Sequence, residues 1–420
     1  MNIGNNNRFN IIISTLNFVL MFVGYQLATS LFLPVSSDIE GISRTVTVPY
    51  RAFALLVSLL VIILNFRKQI EKSHLVLKVL LVFWIALIIR IFYDTNIRID
   101  VHLNDTRQLW LYIFGIILPG MYSVMKSYKN IDLKIALKWV YFGTILTLVL
   151  SLFNNTALLM DASEISGRVE GNLALNTISF GHLGTMGVVL SIFLLSKKGV
   201  SLIRKILLIA VMLLSFFIML RAGSRSPILA LVVVLLFWLI ARGKNLALGL
   251  SIAVVTIVLI FVFIEPILNF MGDISPIIES RLRLSIYEGH TSGRDPLYDY
   301  AFQRFLDNPL FGSQFALFDR FGGFIYSHNI ILDSLMALGL FGGFAMIYIL
   351  WIALKRSYLL IKKKDNHFWI SFILIQQIVL SMLSGAFYYN QILNVLLVFI
   401  VLYTTKFCNY SGTPVIDRES

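Results

Sequence analysis

The chain has 420 residues, of which 58% are hydrophobic and only 14% charged, and its mean hydropathy is +0.83. These values exclude an ordinary soluble domain, and a single cysteine, Cys408, excludes an intrachain disulfide and any cysteine-based metal site. The formal net charge of +13 is compatible with nucleic-acid binding until the positions of the charges are read.

A helix needs about 20 apolar residues to cross a bilayer. Apolar runs of that kind lie near 11–33, 46–64, 75–93, 108–125, 135–153, 176–196, 203–220, 226–241, 246–264, 328–354, 367–388 and 391–407. The reading is an all-α integral membrane protein with about 12 transmembrane helices, one polytopic domain over 1–420. The first run is too long for a secretory signal core and reads as an uncleaved span.

Twelve spans put both termini on one side. The connections carrying Arg67, Lys68 and Lys72, then Lys126, Lys129 and Lys134, then Lys197, Lys198, Arg204 and Lys205, then Arg242 and Lys244, then Lys355, Arg356 and Lys362 to Lys364 alternate with acid-richer ones. The positive-inside rule makes the first set cytoplasmic. Of the 35 basic residues 22 then fall inside, and of the 22 acids 17 fall outside. The charge is mostly topology, so no nucleic-acid partner is needed. One feature goes beyond the rule. All 16 lysines lie inside, while the 13 outer basic residues are all arginines. Lys and Arg serve topology equally, but Arg alone offers a planar fork for two-point contact with phosphate or carboxylate. The competing reading is pairing with the outer acids.

Two outer connections are long. One covers about 154–175, and the other, 265–327, is a large extracytoplasmic loop. Within it "SGRDPLYDYAFQRFLDNPLFG" predicts an amphipathic helix near 295–307. Pro296 starts it, Asn308-Pro309 ends it, and Leu297, Tyr300, Ala301, Phe305 and Leu306 form its apolar face.

Ionisable residues are scarce at mid-depth. Arg51 and Arg90 lie toward outer span ends, and His182 and Asp333 lie one to two turns inside their spans. Transporters coupled to protons or ions generally carry such groups near the midplane. Their scarcity points to chemistry at the outer face and away from a flippase or exporter. In "LRAGSRSPILAL" Arg221 ends one span and Arg225 begins the next, with Ser226 as the expected N-cap and Pro227 in the first turn. A helix N-terminus beside an arginine makes an anion site; the alternative is a tight hairpin whose arginines reach head groups. Arg294 in "SGRDP" is a second candidate, opposed by pairing with Asp295 or Asp299. Arg168, with Glu164 and Glu170 near it, ranks below, and Arg281 and Arg283 rank lower still.

His328 and Asn329 open the span "SHNIILDSLMALGLFGG". A neutral imidazole can accept a proton near pH 7, and Asn329 can orient a substrate hydroxyl. Gly339 and Gly343 are expected to allow close helix packing that fixes His328. Asp38 and Glu40, one residue apart in the first outer connection, are the one clue to a divalent metal; the preferred reading has no metal and no cofactor.

"GRVEGNLALN", "GSRSPILAL", "SGRDPLYDYAFQRFLDNPLFG" and "SHNIILDSLMALGLFGG", in this order around a large outer loop, resemble the O-antigen polymerase and O-antigen ligase superfamily over roughly 165–345. The resemblance implies a metal-independent, inverting glycosyltransferase of the membrane C-type fold (GT-C). It implies an undecaprenyl-diphosphate-linked oligosaccharide as donor, used at the outer face of the cytoplasmic (inner) membrane. It also allows a chain-length regulator or flippase as partner. Carried over, Arg225 and Arg294 bind the lipid diphosphate and His328 acts as base, with Arg168, Arg221 and Asn329 assisting in substrate binding. A polymerase of repeat units is favoured over a ligase, because Ile330-Ile331 follow the His-Asn pair where some ligases carry Glu or a bulkier polar pattern.

Overall fold

The computed structural model describes residues 3–32, 42–68, 74–98, 106–155, 168–171, 175–289, 293–318 and 323–405. Asp38, Glu40, Lys72, Glu164 and Cys408 lie outside them. The described residues are mostly helical, and every apolar run read from the sequence contains a helix. These are α1 (Ile3–Val19) and α2 (Tyr25–Phe32), joined through a π-helical turn at Leu20–Gly24, then α3 (Ile42–Leu64) and α4 (Leu75–Phe92), which continues through a second π turn to Ile97. Next come α5 (Arg107–Tyr112) and α6 (Leu118–Ser127), again joined through a π turn, α7 (Leu133–Asn154), α8 (Thr177–Leu195), α9 (Leu202–Arg221), α10 (Arg225–Arg242) and α11 (Leu246–Val262). After the long connection, α15 (Ile330–Lys362), α16 (Trp369–Ser384) and α17 (Gln391–Tyr403) close the bundle.

Among the described residues nine helices are long and apolar enough to cross a membrane. A tenth candidate, α11 with α12 (Ile264–Ile274), is bent by 67°. Helices α16 and α17 are apolar but shorter, at 16 and 13 residues.

Local chemistry sets many of the helix starts. Asp132 accepts from Lys134 and Ile135 N–H at 2.9 and 3.0 Å to open α7. Asn176, Asn245 and Asn390 cap α8, α11 and α17 in the same way, each satisfying amides that the helix itself leaves unpaired. The helices are apolar on more than one face, as expected where the solvent is lipid. Leu202, Ile203, Ile206 and Leu207 of α9, and Val254, Val258 and Phe261 of α11, point outward. In contrast, α8, α16 and α17 are buried along most of their length.

The stretch read as a loop, 265–327, is largely helical. It holds most of α12, then α13 (Pro276–Tyr287), α14 (Asp295–Asp307) and a two-residue antiparallel hairpin, β1 (Leu317–Phe318) with β2 (Phe324–Ile325). Helix α14 buries Ala301 and Phe305 and half-buries Leu297, and it packs on Leu332 and Met336 of α15. Tyr300 and Leu306, expected on its apolar face, are exposed. At 100° per residue they stand about 100° and 140° from the centre of the 297–301–305 stripe.

Gly339 corrects a second expectation. It is not a small residue smoothing a helix interface. Its φ of 65° and ψ of −154° break α15 into two pieces. A Cβ there would collide with the Leu310 carbonyl, and the Leu340 N–H donates across the break to Pro309 O at 2.8 Å. The end of α14 is thus tied into α15. Arg90 of α4 locks the same junction, donating to the carbonyls of Ala337 at 3.1 Å, Ser313 at 3.2 Å, Phe311 at 3.1 Å and Gly312 at 2.8 Å. Asp94, one turn on and fully buried, accepts from Phe315 N–H at 2.7 Å.

Gly339→Ala is expected to lower stability by ~1–3 kcal/mol, the cost of holding a residue with a Cβ in backbone space that essentially only glycine occupies, with the collision in addition. Gly343→Ala, whose new methyl meets only the flexible Leu335 side chain, is expected to cost less. Thermal unfolding in detergent compares the two.

Candidate functional site

At the end of the bundle where α9 turns into α10, Gly223 adopts φ 65° and the chain enters α10 at Arg225. The N-cap position falls on Ser224, not on Ser226 as expected, and Ser224 makes no side-chain cap. Ser226 is used otherwise: its hydroxyl meets His182 Nε2 at 3.2 Å. The start of α10 thus brings the positive end of its helix dipole to this end of the bundle.

Ser224, Arg225 and Ser226 line a cavity of about 380 Å³. Arg168, Arg281 and Arg294 line it too, with Ser285, Tyr298 and several apolar residues, and no carboxylate is among the described residues of its wall. Four guanidinium groups from four chain segments thus face one space. Each arrives by a different local device. A Cβ on Gly223 would lie 3.3 Å from Arg168 Cγ, so the glycine admits Arg168 as well as making the turn; Arg168 Nε then donates to Gly223 O at 3.4 Å. Arg225 Nη1 donates to the Arg281 carbonyl at 3.2 Å, which ties α10 to α13. Arg294 is the N-cap residue of α14, and its Nη2 donates to Ser384 Oγ at 3.0 Å, at the end of α16.

The groups feel one another. Burial, and then the charges of Arg281, Arg294 and Arg225, lower the Arg168 pKa from its ordinary 12.5, with Glu170 opposing. Burial and then Arg294 lower that of Arg281. Arginine stays charged through such shifts, so the cavity is a concentrated positive field that a polyanion would relieve.

The residues expected at the site divide. Arg225, Arg294 and Arg168 come together. Arg221 does not join them; it is buried, with its guanidinium 5.3 Å from the Phe217 ring centre. Arg281, ranked low from sequence, is a full member. Arg283 is not, because it pairs with Glu279 and Glu265 at 2.8 Å each. The i, i+4 spacing of Glu279 and Arg283 on one helix is the signal that separates the two.

His328 does not line this cavity but feels it. Burial first, and then the Arg294 charge, lower its pKa below the ordinary 6.5. Its backbone is left-handed, φ 65°, a conformation a residue with a Cβ holds only where surroundings impose it. The buried Asp333 carboxylate supplies that constraint, accepting the Ser327 N–H at 2.8 Å. Asn329 is a helix cap. Its Oδ1 accepts from Ile331 and Leu332 N–H at 3.0 and 3.2 Å. The His328 ring packs edge-on to Tyr326, centroids 4.7 Å apart, and its Nδ1 is buried without a protein partner among the described residues.

Fold and site together define a multi-pass helical membrane protein with an arginine-lined cavity at one end of its bundle. Residues 209–347 match the family described as O-antigen ligase, which supports the O-antigen ligase/polymerase superfamily as the place of this chain. The match contains Arg225, Arg281, Arg294, His328 and Asn329, and Arg168 precedes it. No curated protein matches the chain.

Inorganic pyrophosphate is expected to stabilise the protein in a salt-sensitive way, by ~2.7 kcal/mol at a hundred times its dissociation constant. Arg281→Gln should shrink that shift as much as Arg225→Gln. Arg283→Gln should leave the pyrophosphate shift intact. Melting curves of the detergent-solubilised variants check all three.

Proposed function

We propose that the protein transfers a glycan from an undecaprenyl-diphosphate-linked donor to a sugar hydroxyl, and that it polymerises oligosaccharide repeat units at the outer face of the cytoplasmic membrane. The reading has the protein adopt the C-type glycosyltransferase architecture and work without a metal. The observation that carries it is the single cavity faced by four guanidiniums and the N-terminus of α10. Two of those groups, Arg225 and Arg294, were expected as diphosphate ligands.

In this reaction the acceptor oxygen forms a bond to the anomeric carbon of the donor. The bond from that carbon to the diphosphate breaks, and the diphosphate departs with the electron pair. A single displacement inverts the anomeric centre. Negative charge grows on the leaving oxygen, where preorganised donors in a low-dielectric site act most strongly. Arg225, Arg294, Arg281 and Arg168 supply full charges there, and the α10 amides supply oriented dipoles. The acceptor proton goes to His328. A pKa held below the ordinary value keeps the imidazole neutral, hence able to accept, at neutral pH. Arg294 has a part in both tasks, since it lines the cavity and lowers the proton affinity of His328.

A ligase reading is kept because the matching family is described by that activity. It shares the donor and the leaving group and differs in acceptor. A strain lacking the protein separates the two. Single repeat units on the acceptor mark a lost polymerase, and unattached lipid-linked polymer marks a lost ligase.

Purified protein incubated with lipid-linked repeat units, with and without a chelator, is expected to form long chains in both cases. Arg225→Ala and Arg294→Ala should each cut turnover by roughly 10²–10³-fold, and His328→Ala by roughly 10²–10⁴-fold, with membrane insertion retained. The wild-type rate should fall on the acid side only below pH 6.5, as His328 takes up a proton, and that limb should vanish in His328→Ala. Wild-type chain lengths from either the Arg225 or the His328 variant would reject the mechanism.

A further inference from the structure

A second cavity, of about 250 Å³, opens between α2, α8, α16 and the start of α17. Its chemistry is the opposite of the first. No Lys, Arg, Asp or Glu is among the described residues of its wall, which is instead rich in carboxamides and phenols: Gln26, Gln377, Tyr25, Tyr112 and Tyr389 among them.

Some of its polar groups have structural work. Asn390 Oδ1 caps α17, Gln391 Nε2 donates to Met21 O at 2.8 Å, and Gln376 Nε2 donates to His182 O at 2.6 Å. Other atoms do not. Gln26 Oε1, Gln376 Oε1 and His182 Nδ1 are buried with no protein partner among the described residues, although Gln376 and His182 are only 1% and 3% exposed. A buried polar atom left unpaired costs about 1–3 kcal/mol. The wall itself, with the carboxamides of Gln26 and Gln377 beside the phenols of Tyr25, Tyr112 and Tyr389 and no charged group among its described residues, suits a hydroxyl-rich guest. At ~30 Å³ per water the space equals about eight waters, the scale of a single sugar ring. Phenol faces beside carboxamides offer that ring both stacking and directional hydrogen bonds.

The two cavities meet through one side chain, and a second leads from this one to His328. Ser384 lines this one and accepts the hydrogen bond from Arg294, which lines the other. Tyr326 lines this one and carries the His328 ring against it.

We propose that this cavity binds one uncharged sugar ring of the substrate, a neutral hexose or an N-acetylated hexosamine. A uronic acid is excluded, since its carboxylate would be buried here without a cation. The proposal rests on the glycan-transfer reading and names the sugar class that reading lacks. The ring is held one side chain from His328, so a hydroxyl can be presented to the base while the diphosphate occupies the arginine cavity.

The test uses saturation-transfer NMR on detergent-solubilised full-length protein, with the methyl glycosides of glucose, galactose, N-acetylglucosamine and glucuronic acid as probes. A neutral or N-acetylated glycoside is expected to bind and the glucuronide to fail. Gln26→Leu and Gln377→Leu each remove a carboxamide from the wall without removing a hydrogen bond that holds two helices together. Each should weaken glycoside binding about tenfold, the scale of one hydrogen bond to a neutral partner. Both should keep the wild-type pyrophosphate stabilisation, which also shows that they fold. Adding a lipid-linked donor assigns the ring: displacement of the glycoside places the donor sugar in the cavity, and retention places the acceptor sugar there. Equal binding of the glucuronide, or glycoside binding unchanged in both leucine variants, overturns the proposal. Loss of pyrophosphate binding alone would count against the diphosphate site and leave the sugar cavity standing.

Discussion

Four like charges in one cavity repel, and much of the surrounding structure exists to hold them there. Drawing a guanidinium even partly out of water costs free energy unless its donors find acceptors. Among the described residues they find neutral acceptors: Gly223 O for Arg168, Arg281 O for Arg225, and Ser384 Oγ for Arg294. Neutral acceptors satisfy the N–H groups without cancelling the field. A carboxylate in their place would stabilise the fold and quench the site. Arg283, a few ångströms of helix away from Arg281, shows the other outcome, with Glu265 and Glu279 both on it.

The second constraint is the junction of α14 with α15. The segment 309–315 is threaded against the break at Gly339 and fastened by Arg90 and Asp94. Arg90 works here through carbonyls and a 3.5 Å contact to Asp94, so an outer arginine need not be a phosphate ligand. The fastening fixes where the chain re-enters the bundle, and the β1–β2 hairpin and the strained turn at His328 follow from it. Asp333, one turn inside α15, grips Ser327 and keeps that turn from relaxing. The imidazole is thus set by groups that never face the cavity.

Features written in local sequence were legible. Apolar runs located the helices, and Pro296 with Asn308-Pro309 bounded α14 well. Arg225, Arg294 and Arg168 stood out in short motifs and line one cavity, and the sorting of arginine from lysine was the reason to single out arginines. What escaped depends on contacts between distant segments. The i, i+4 pair of Glu279 and Arg283 could be read from the sequence, but the meeting of Arg283 with Glu265 of α12 and of Arg281 with Arg168, Arg225 and Arg294 could not. The left-handed Gly339 is written in no periodicity, because its cause is the backbone of 309–310 arriving from elsewhere. The carboxamide cavity was invisible as a site for the same reason, although adjacent glutamines in "LIQQIVL", deep in an apolar helix, were its trace.

The division of labour between the two cavities follows from the chemistry of a lipid-linked glycan on the proposed reading. Such a substrate carries its charge on one linkage and its identity in hydroxyls. Charge is recognised well by long-range fields, which are strong and indiscriminate; hydroxyl patterns need short, directional hydrogen bonds, which are weak in water and worth more in a buried wall. Putting both kinds of group in one pocket would let the arginines saturate the carboxamides and lose discrimination. Separating them by the thickness of Ser384, which Arg294 touches from the arginine side, keeps each recognition intact. It also brings the two ends of the reaction, the departing anion and the attacking alcohol, to opposite sides of a few side chains.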